Sequence, residues 1–572
     1  MSTVDTLAEV TDPAAGTGTP LRLSVRGLRV AFAKPTGVRH VVRGVSFDLA
    51  AGRCVAIVGE SGSGKSVTAR SLVGLTGQDA VVTADRLELH GRDVRALPAR
   101  AWRRIRGREV GFVLQDALVS LDPLRPVGKE IAEALRLHGW GDRASRRQRV
   151  VELLTRVGVP SPHVRARQRP GELSGGLRQR ALIASAVALD PDVVIADEPT
   201  TALDVTVQAQ VLGQLELMLA RGASVLLISH DLAVVARLAD HILVMQDGEV
   251  VEQGPRAQVL GAPQHPYTRR LIAAVPSEAT RGRPLSPDGP AELTRDDEAR
   301  RTVPEPTGPV LVARDLVKRF PTPGGGTLTA VDGVSFTVER GRTLGIVGES
   351  GSGKSTAARL ALELTSLDGG EVRLLGQEWS GIPEPRRRHL RRHVTVVSQD
   401  PLSSFDPRWN TERILLEAIP ADRYPTARDR RARATQLLAQ VGLGPEVLDR
   451  FPLRLSGGQR QRVAIARALA PSPSLIVLDE AVSALDVTIQ AQVLDLLAAL
   501  QEHLGVSYLF ISHDLGVIGH LSHHVLVMKD GRVVEEGPPD DIFARPQHPY
   551  TRELIASIPQ LAPATATEGA DA

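Results

Sequence analysis

One cysteine stands in 572 residues. A single thiol closes no internal disulfide, four-cysteine zinc site or cysteine-held iron–sulfur cluster. It is Cys54, inside the apolar run Cys-Val-Ala-Ile-Val, and reads as a buried strand residue rather than a reactive thiol. No long stretch is free of charge, so no membrane-spanning helix is expected. The most apolar segments, at 224–229 and 474–478, have strand length. The chain does not open with a basic start and an apolar stretch, which argues against a signal peptide. The expected location is therefore the cytoplasm, or a membrane face reached only through partners. The net charge of +3 is too weak to argue for nucleic acid as a partner. Nearly all the basic residues are arginine. The run at Arg386, Arg387 and Arg388, followed by Arg391 and Arg392, reads as a solvated helix face before a phosphate site.

What is present is a repeat. GESGSGKS occurs at 59–66 and again at 348–355. Each copy is followed by a glutamine loop, an LSGG segment, an apolar strand ending in Asp-Glu, an (S/T)ALD segment and an ISHD segment. Lys65 and Lys354 lie 289 residues apart, Asp197 and Asp479 282, His230 and His513 283. A repeat this long is a duplicated domain rather than a solenoid unit. The length fits two domains of roughly 250 residues, and 42% hydrophobic with 24% charged residues is ordinary for globular protein. Residues 1–20 and 561–572 read as disordered tails, and the Pro-, Gly- and charge-rich stretch 277–308 as a linker. The domains are expected at 21–276 and 309–560. In each, the loop follows an apolar run (55–58, 344–347) and precedes a helical segment, so an α/β core with a mainly parallel sheet is expected. An Arg-, Leu- and Glu-rich helical insertion precedes each LSGG segment.

The G-x-x-x-x-G-K-S loop turns backbone N–H groups toward β- and γ-phosphates, helped by the helix N-terminus behind it. This assigns phosphate binding to Gly59, Ser61, Gly62, Ser63, Gly64, Lys65, Ser66 and Val67. Gly348, Ser350, Gly351, Ser352, Gly353, Lys354, Ser355 and Thr356 match them in the second copy. The lysines reach the β/γ oxygens, and the Ser66 and Ser355 hydroxyls ligate Mg²⁺ together with Asp197 and Asp479. Glu198 and Glu480 are placed to polarise the attacking water, a role worth roughly 10²–10⁴-fold in rate. His230 and His513 follow short strands and face the γ-phosphate. In the LSGG segments, Ser174, Gly175 and Gly176, with Ser456, Gly457, Gly458 and Gln459, open a helix whose free N–H groups make a second anion site per domain.

These motifs in this order resemble the nucleotide-binding domains of ATP-binding-cassette (ABC) proteins. The resemblance implies two tandem P-loop NTPase domains, each with a RecA-like core, an antiparallel β subdomain and a helical subdomain. It implies head-to-tail packing as an internal pseudo-dimer, so that Lys65 and Glu198 share one ATP with Ser456 and Gly458. Lys354 and Glu480 then share the other with Ser174 and Gly176. It makes Gln115 and Gln399 hinge residues that sense γ-phosphate and Mg²⁺ and touch the transport partner. Phe32 and Phe320 become the adenine-stacking aromatics, with a plain core phenylalanine as the competing reading. Two departures separate the halves: Leu177 stands where the second copy has Gln459, and Ala481 where the first has Pro199.

The stretches QDALVSLDP (115–123), QDPLSSFDP (399–407) and DEAVSALDVTIQAQ (479–492) resemble the dipeptide, oligopeptide and nickel importers. So do the matching tails GAPQHPYTRRLIAAVP (261–276) and ARPQHPYTRELIASIP (544–559). For mechanism, His265 and His548 in these tails read as helix caps rather than ligands. The resemblance implies an ATPase at the cytoplasmic face of a bacterial membrane, peripheral to it. It would serve two permease subunits and an extracytoplasmic solute-binding protein and drive uptake of a peptide-like solute, with glutathione or a nickel complex also open. No iron–sulfur cluster is expected. The alternative is a soluble tandem ABC ATPase of the translation-factor type, against which the short Pro-rich linker and the tails both speak.

Overall fold

The computed structural model describes residues 19–34, 37–77, 79–115, 120–201, 203–277, 280–286, 308–322, 326–483 and 485–558. Residues 1–18 of the first expected tail, the whole of the second, most of the expected linker, residues 116–119 of the first glutamine loop, Ala202 and Ala484 lie outside them.

Each half is built on a six-stranded sheet. In the first, the spatial order is Glu249–Pro255, His241–Gln246, Cys54–Val58, Ser224–Ile228, Val193–Asp197 and Val110–Val113. All neighbours are parallel except the antiparallel edge pair 241–246 and 249–255. Strands 54–58, 193–197 and 224–228 are buried at every position. A parallel sheet covered by helices on both faces requires such continuous apolar runs. Cys54 is accordingly sealed in the sheet, and burial raises its thiol pKa, which removes it as a nucleophile. The second half repeats the arrangement as Val394–Val397, Leu475–Asp479, Ser507–Ile511, Thr343–Val347, His524–Lys529 and Arg532–Gly537.

Against each core leans an antiparallel sheet, led by Leu21–Lys34 paired with Gly37–Ala50 and by Leu311–Pro321 paired with Thr327–Val338. Phe32 and Phe320 sit on its leading strands. Phe32 packs partly into the first core, while Phe320 is 38% exposed with the Lys318 ammonium 5.6 Å from its ring centre. The helical insertions are Val127–Leu137, Arg143–Arg156 and Gly175–Ala186 in one half, and Thr411–Ala418, Ala427–Gln440 and Gly457–Leu469 in the other. The arginine run lies on the helix Glu384–Arg391, where Arg387 pairs with Glu363 at 2.7 Å and Arg391 lies over Trp379. Among the described residues no helix is long and apolar enough to cross a membrane.

The substitution at Leu177 has a local physical consequence. Ser456 Oγ accepts from Gln459 N at 3.2 Å while Gln459 Oε1 accepts from Ser456 N at 3.1 Å, a reciprocal capping box. Ser174 Oγ accepts from Leu177 N at 3.4 Å, and a leucine returns nothing. Leu177→Gln is expected to stabilise the first signature helix by about 0.3–1.5 kcal/mol. Thermal unfolding of the variant checks this; an unchanged or lowered Tm counts against the cap.

Candidate active sites

Four adjacent parallel strands deliver the chemistry of the first half at their C-terminal ends, where open α/β sheets gather ligands. Strand 54–58 runs into Gly59 and the phosphate loop, 193–197 ends on Asp197, 224–228 leads to His230, and 110–113 to Gln115. The second half aligns Gly348, Asp479, His513 and Gln399 in the same way.

The loop is shaped by glycine. At Gly59 (φ 148°) a Cβ would meet Met245 O at 2.2 Å, and at Gly64 (φ 102°) Val41 O at 2.7 Å. Gly62, by contrast, has φ 86° and open space in front of it. Two of the loop glycines thus permit close backbone packing, and the third leaves room on the phosphate side. Lys65 Nζ donates to Gly59 O at 2.7 Å and Glu60 O at 2.8 Å, and Lys354 repeats this on Gly348 O and Glu349 O at 2.8 and 2.7 Å. Burial lowers both lysine pKa values against the pull of neighbouring carboxylates. The Ser63 and Ser352 hydroxyls are buried without a hydrogen-bond partner.

Ser66 Oγ donates to Asp197 Oδ1 at 2.8 Å, and Ser355 Oγ to Asp479 Oδ1 at 2.9 Å. Asp197 Oδ2 is buried with no partner. Burial raises the pKa of both aspartates and outweighs the hydroxyl hydrogen bond and the nearby cations, Arg70 and Lys65 for Asp197 and Arg359 and Lys354 for Asp479. A hydroxyl and a desolvated carboxylate oxygen beside a phosphate loop are hard oxygen donors that suit a divalent cation.

Glu198 and Glu480 adopt φ 50° and 51°, a region that non-glycine residues rarely occupy. Gln115 Nε2 donates to Glu198 Oε2 at 2.7 Å, and His230 Nδ1 lies 3.3 Å from Glu198 Oε1. The second half shows the same clamp, Gln399 Nε2 to Glu480 Oε2 at 2.7 Å and His513 Nδ1 to Glu480 Oε1 at 3.4 Å. Burial pushes Glu198 up, but the hydrogen bond and charge of His230, with Lys65 and Gln115, outweigh it and hold the carboxyl at about 2. For His230 burial favours the neutral ring, yet Glu198 outweighs it and raises the pKa.

The structure brings these groups together, and two further sets of contacts are absent from the sequence reading. Thr201 Oγ1 donates to Glu198 Oε2 at 3.1 Å, whereas Ser483 Oγ turns to the Glu480 backbone carbonyl at 3.0 Å. The tail tyrosines also reach the phosphate loops: Tyr267 Oη accepts from Glu60 N and Tyr550 Oη from Glu349 N, each at 3.0 Å. Both phenols are buried, which pushes Tyr550 up to about 12. His265 and His548 cap the helices Pro266–Ala273 and Pro549–Ala556, their Nδ1 atoms accepting from the tyrosine N–H groups at 3.3 and 3.2 Å. The His-Pro-Tyr pattern is therefore a cap that aims a phenol. Its signal in sequence is its duplication, 207 residues from the loop glutamate in the first half and 201 in the second.

The halves meet head to tail through their (S/T)ALD segments. Thr206 Oγ1 donates to Glu349 Oε1 at 2.7 Å, and Ser350 N to Asp204 Oδ2 at 3.3 Å. Asp486 in turn acts on Lys65. His230, Asp231, His513 and Asp514 line one cleft of about 190 Å³ between the halves. Ser174 and Ser456 cap their own helices; among the described residues no hydrogen bond joins either to the opposite phosphate loop.

The geometry has counterparts. The ABC transporter family model matches residues 42–201 and 331–483, and the oligopeptide/dipeptide transporter C-terminal region matches 251–298 and 534–571. The glutathione import ATP-binding protein of Escherichia coli K12 is 44% identical over 566 residues, covering 95% of this chain and 90% of that protein. Its counterpart from Pectobacterium atrosepticum is 42% identical over 558 residues, 94% of this chain and 89% of that one. Among solved structures, a post-hydrolysis ATP-binding-cassette dimer bound to ADP and Pi is 28% identical, covering 40% of this chain and 98% of that chain with a TM-score of 0.37. An ABC transporter component from Clostridium perfringens is 26% identical, covering 41% of this chain and 91% of that one, also with a TM-score of 0.37.

Two tests follow from the geometry. Tyr267→Phe removes the acceptor for Glu60 N–H and is expected to cost about 1 kcal/mol and to weaken ATP binding by that half. Unchanged Tm and ATP affinity would remove the tyrosine from the site. For the nucleotide-free protein, His230 stabilises fully below its ordinary pKa of 6.5, and the benefit fades as pH rises through the raised value. Glu198 stabilises above its ordinary 4.5, and the benefit is lost only as pH falls toward about 2. The Tm difference between the native protein and Glu198→Gln should therefore be largest between those ordinary values and shrink above neutrality; a difference flat with pH contradicts the pairing. With both cassettes and both tails accounted for, the chain belongs to the ABC transporter ATP-binding proteins of the oligopeptide/dipeptide import group, as an ATPase carrying two cassettes on one polypeptide.

Proposed function

We propose that this chain powers uptake of glutathione or a similar small peptide, docking on two permease subunits fed by an extracytoplasmic binding protein. The observation that supports it most is the pair of complete Glu–His–Gln clamps in a chain so similar, over nearly its whole length, to glutathione import ATP-binding proteins. The open groove of about 1060 Å³ lined by Arg125, Lys129, Arg136, Arg143, Arg146 and Arg147 offers the permease a basic face two residues past the first glutamine loop.

Each nucleotide lies between one half's phosphate loop and the other's signature. Asp204 and Asp486, which already act on the opposite loops, are the contacts that report occupancy across the interface. Ser66 with Asp197, and Ser355 with Asp479, would hold Mg²⁺, and Gln115 and Gln399 would contact it on leaving the glutamates they now bind. The ion would supply positive charge against the triphosphate. Lys65 leaves its two loop carbonyls for the phosphates. Gln115 and His230 turn from Glu198 toward the γ-phosphate, which frees the carboxylate to orient water and accept its proton. Phe32 and Phe320, on the leading strands of the β subdomains, would stack on adenine.

Glu198→Gln with Glu480→Gln is expected to keep ATP binding while abolishing steady-state hydrolysis in the reconstituted transporter; unchanged turnover refutes these roles. Uptake of labelled glutathione into vesicles carrying the assembled complex tests the cargo, with a dipeptide and a nickel chelate as competitors. Uptake of neither glutathione nor peptide would overturn that part.

A further inference from the structure

The halves repeat closely enough for their differences to be placed residue by residue, and one set of differences falls together in space. The chain leaving the first half's last helix crosses to the second half. Pro276 O lies where a Cβ on Gly516 would come within 2.5 Å, and the matching first-half residue is Ala233. Thr280 Oγ1 is 3.1 Å from His520 Nδ1; the counterpart of that histidine, Arg237, binds Glu216 on its own surface. Arg281 pairs with Asp540 at 3.0 Å and donates to Ser522 O at 3.1 Å, where the counterpart of Asp540 is Ala257. Leu285 is 2% exposed and belongs to the second half's apolar core.

The deepest contact is Asp495, 5% exposed on the helix Val487–Leu504. Its carboxylate accepts from Leu285 N at 2.9 Å, Ser286 N at 2.8 Å and Ser286 Oγ at 2.6 Å. Three donors from one short segment satisfy a carboxylate that would otherwise be desolvated without partners. At the matching position the first half has Gly213, with open space where a side chain would stand. A space-making glycine, a hydrogen-bonding histidine and two aspartates thus appear only in the half that receives the segment.

We propose that Pro276 and residues 280–286 act as a strap and that the second half carries its receptor site, fastening the halves together independently of nucleotide. The part of the expected linker that begins at Thr280 is then a bound ligand of the second domain rather than a free connector. Opening after hydrolysis pivots about this fixed edge, and the halves do not part when both nucleotides leave. This inference goes beyond the transport reading and does not depend on the cargo.

The test uses the full chain with a protease site inserted between residues 291 and 302, cut while nucleotide-free and analysed by sedimentation. The cut protein with native Asp495 should still travel as a particle of full-chain mass. Asp495→Ala in the cut protein should weaken association of the halves at least about tenfold, with circular dichroism showing the second half folded. Arg281→Asp provides a surface variant: association should fall several-fold, about the scale of one lost charge pair, and be restored by adding Asp540→Arg. Halves that separate on cutting alone, a cut Asp495→Ala protein that stays joined as tightly as the native one, or a charge swap that restores nothing would each overturn the strap.

Discussion

A hydrogen bond between neighbouring strands fixes the catalytic geometry of each half. Glu198 N donates to Ile228 O, and Glu480 N to Ile511 O, both at 2.9 Å, one residue beyond the end of the strand that delivers the Asp-Glu pair. Keeping that bond while the chain turns away forces a positive φ, a strain of about 1–3 kcal/mol per site. The surrounding sheet, buried at nearly every position, is rigid enough to hold it. The same bond ties the glutamate to the strand whose end carries the histidine. Carboxylate and imidazole are therefore placed as a unit, and the chemistry inherits the register of the sheet.

Without nucleotide, the charged groups of the site satisfy one another. The lysine is spent on two loop carbonyls, and the glutamate on a glutamine and a histidine. A carboxylate held near pKa 2 is a weak base. On the proposed reading, withdrawal of His230 and Gln115 toward the γ-phosphate both completes the phosphate contacts and restores basicity to Glu198. On that reading the side chains that suppress idle hydrolysis are the ones catalysis later uses. Thr201 adds a third bond to Glu198 that Ser483 does not give Glu480, so the two carboxylates start from unequal holds.

The architecture was legible because its signals are local and repeated. The loop glycines, the apolar strands before Asp197 and Asp479, and the capping serines all act within a few residues of themselves. Tyr267 is different: its function depends on a contact with Glu60, 207 positions away in the chain, and no local pattern encodes that. Thr201 gives no signal either, because a threonine three residues after a glutamate has many other reasons to be there. The stretch after Pro276 misled for a related reason. Its Pro, Gly and charge content correctly suggests a segment without a core of its own, yet Leu285 and Ser286 borrow the core and the buried carboxylate of the other half.

That borrowing also accounts for the pattern of divergence between the copies. The tail of the first cassette leads directly into a second cassette, which can receive it. In front of Gly213 the space is open, so a carboxylate there would meet none of the described residues. On the receiving side the Asp495 carboxylate is covered and takes three donors from the segment, as a buried carboxylate requires. Cover by the segment thus accounts for different residues at one structural position in the two halves. Glu198 and Glu480, His230 and His513, and Gln115 and Gln399 make the same contacts in both halves and are under no such pressure.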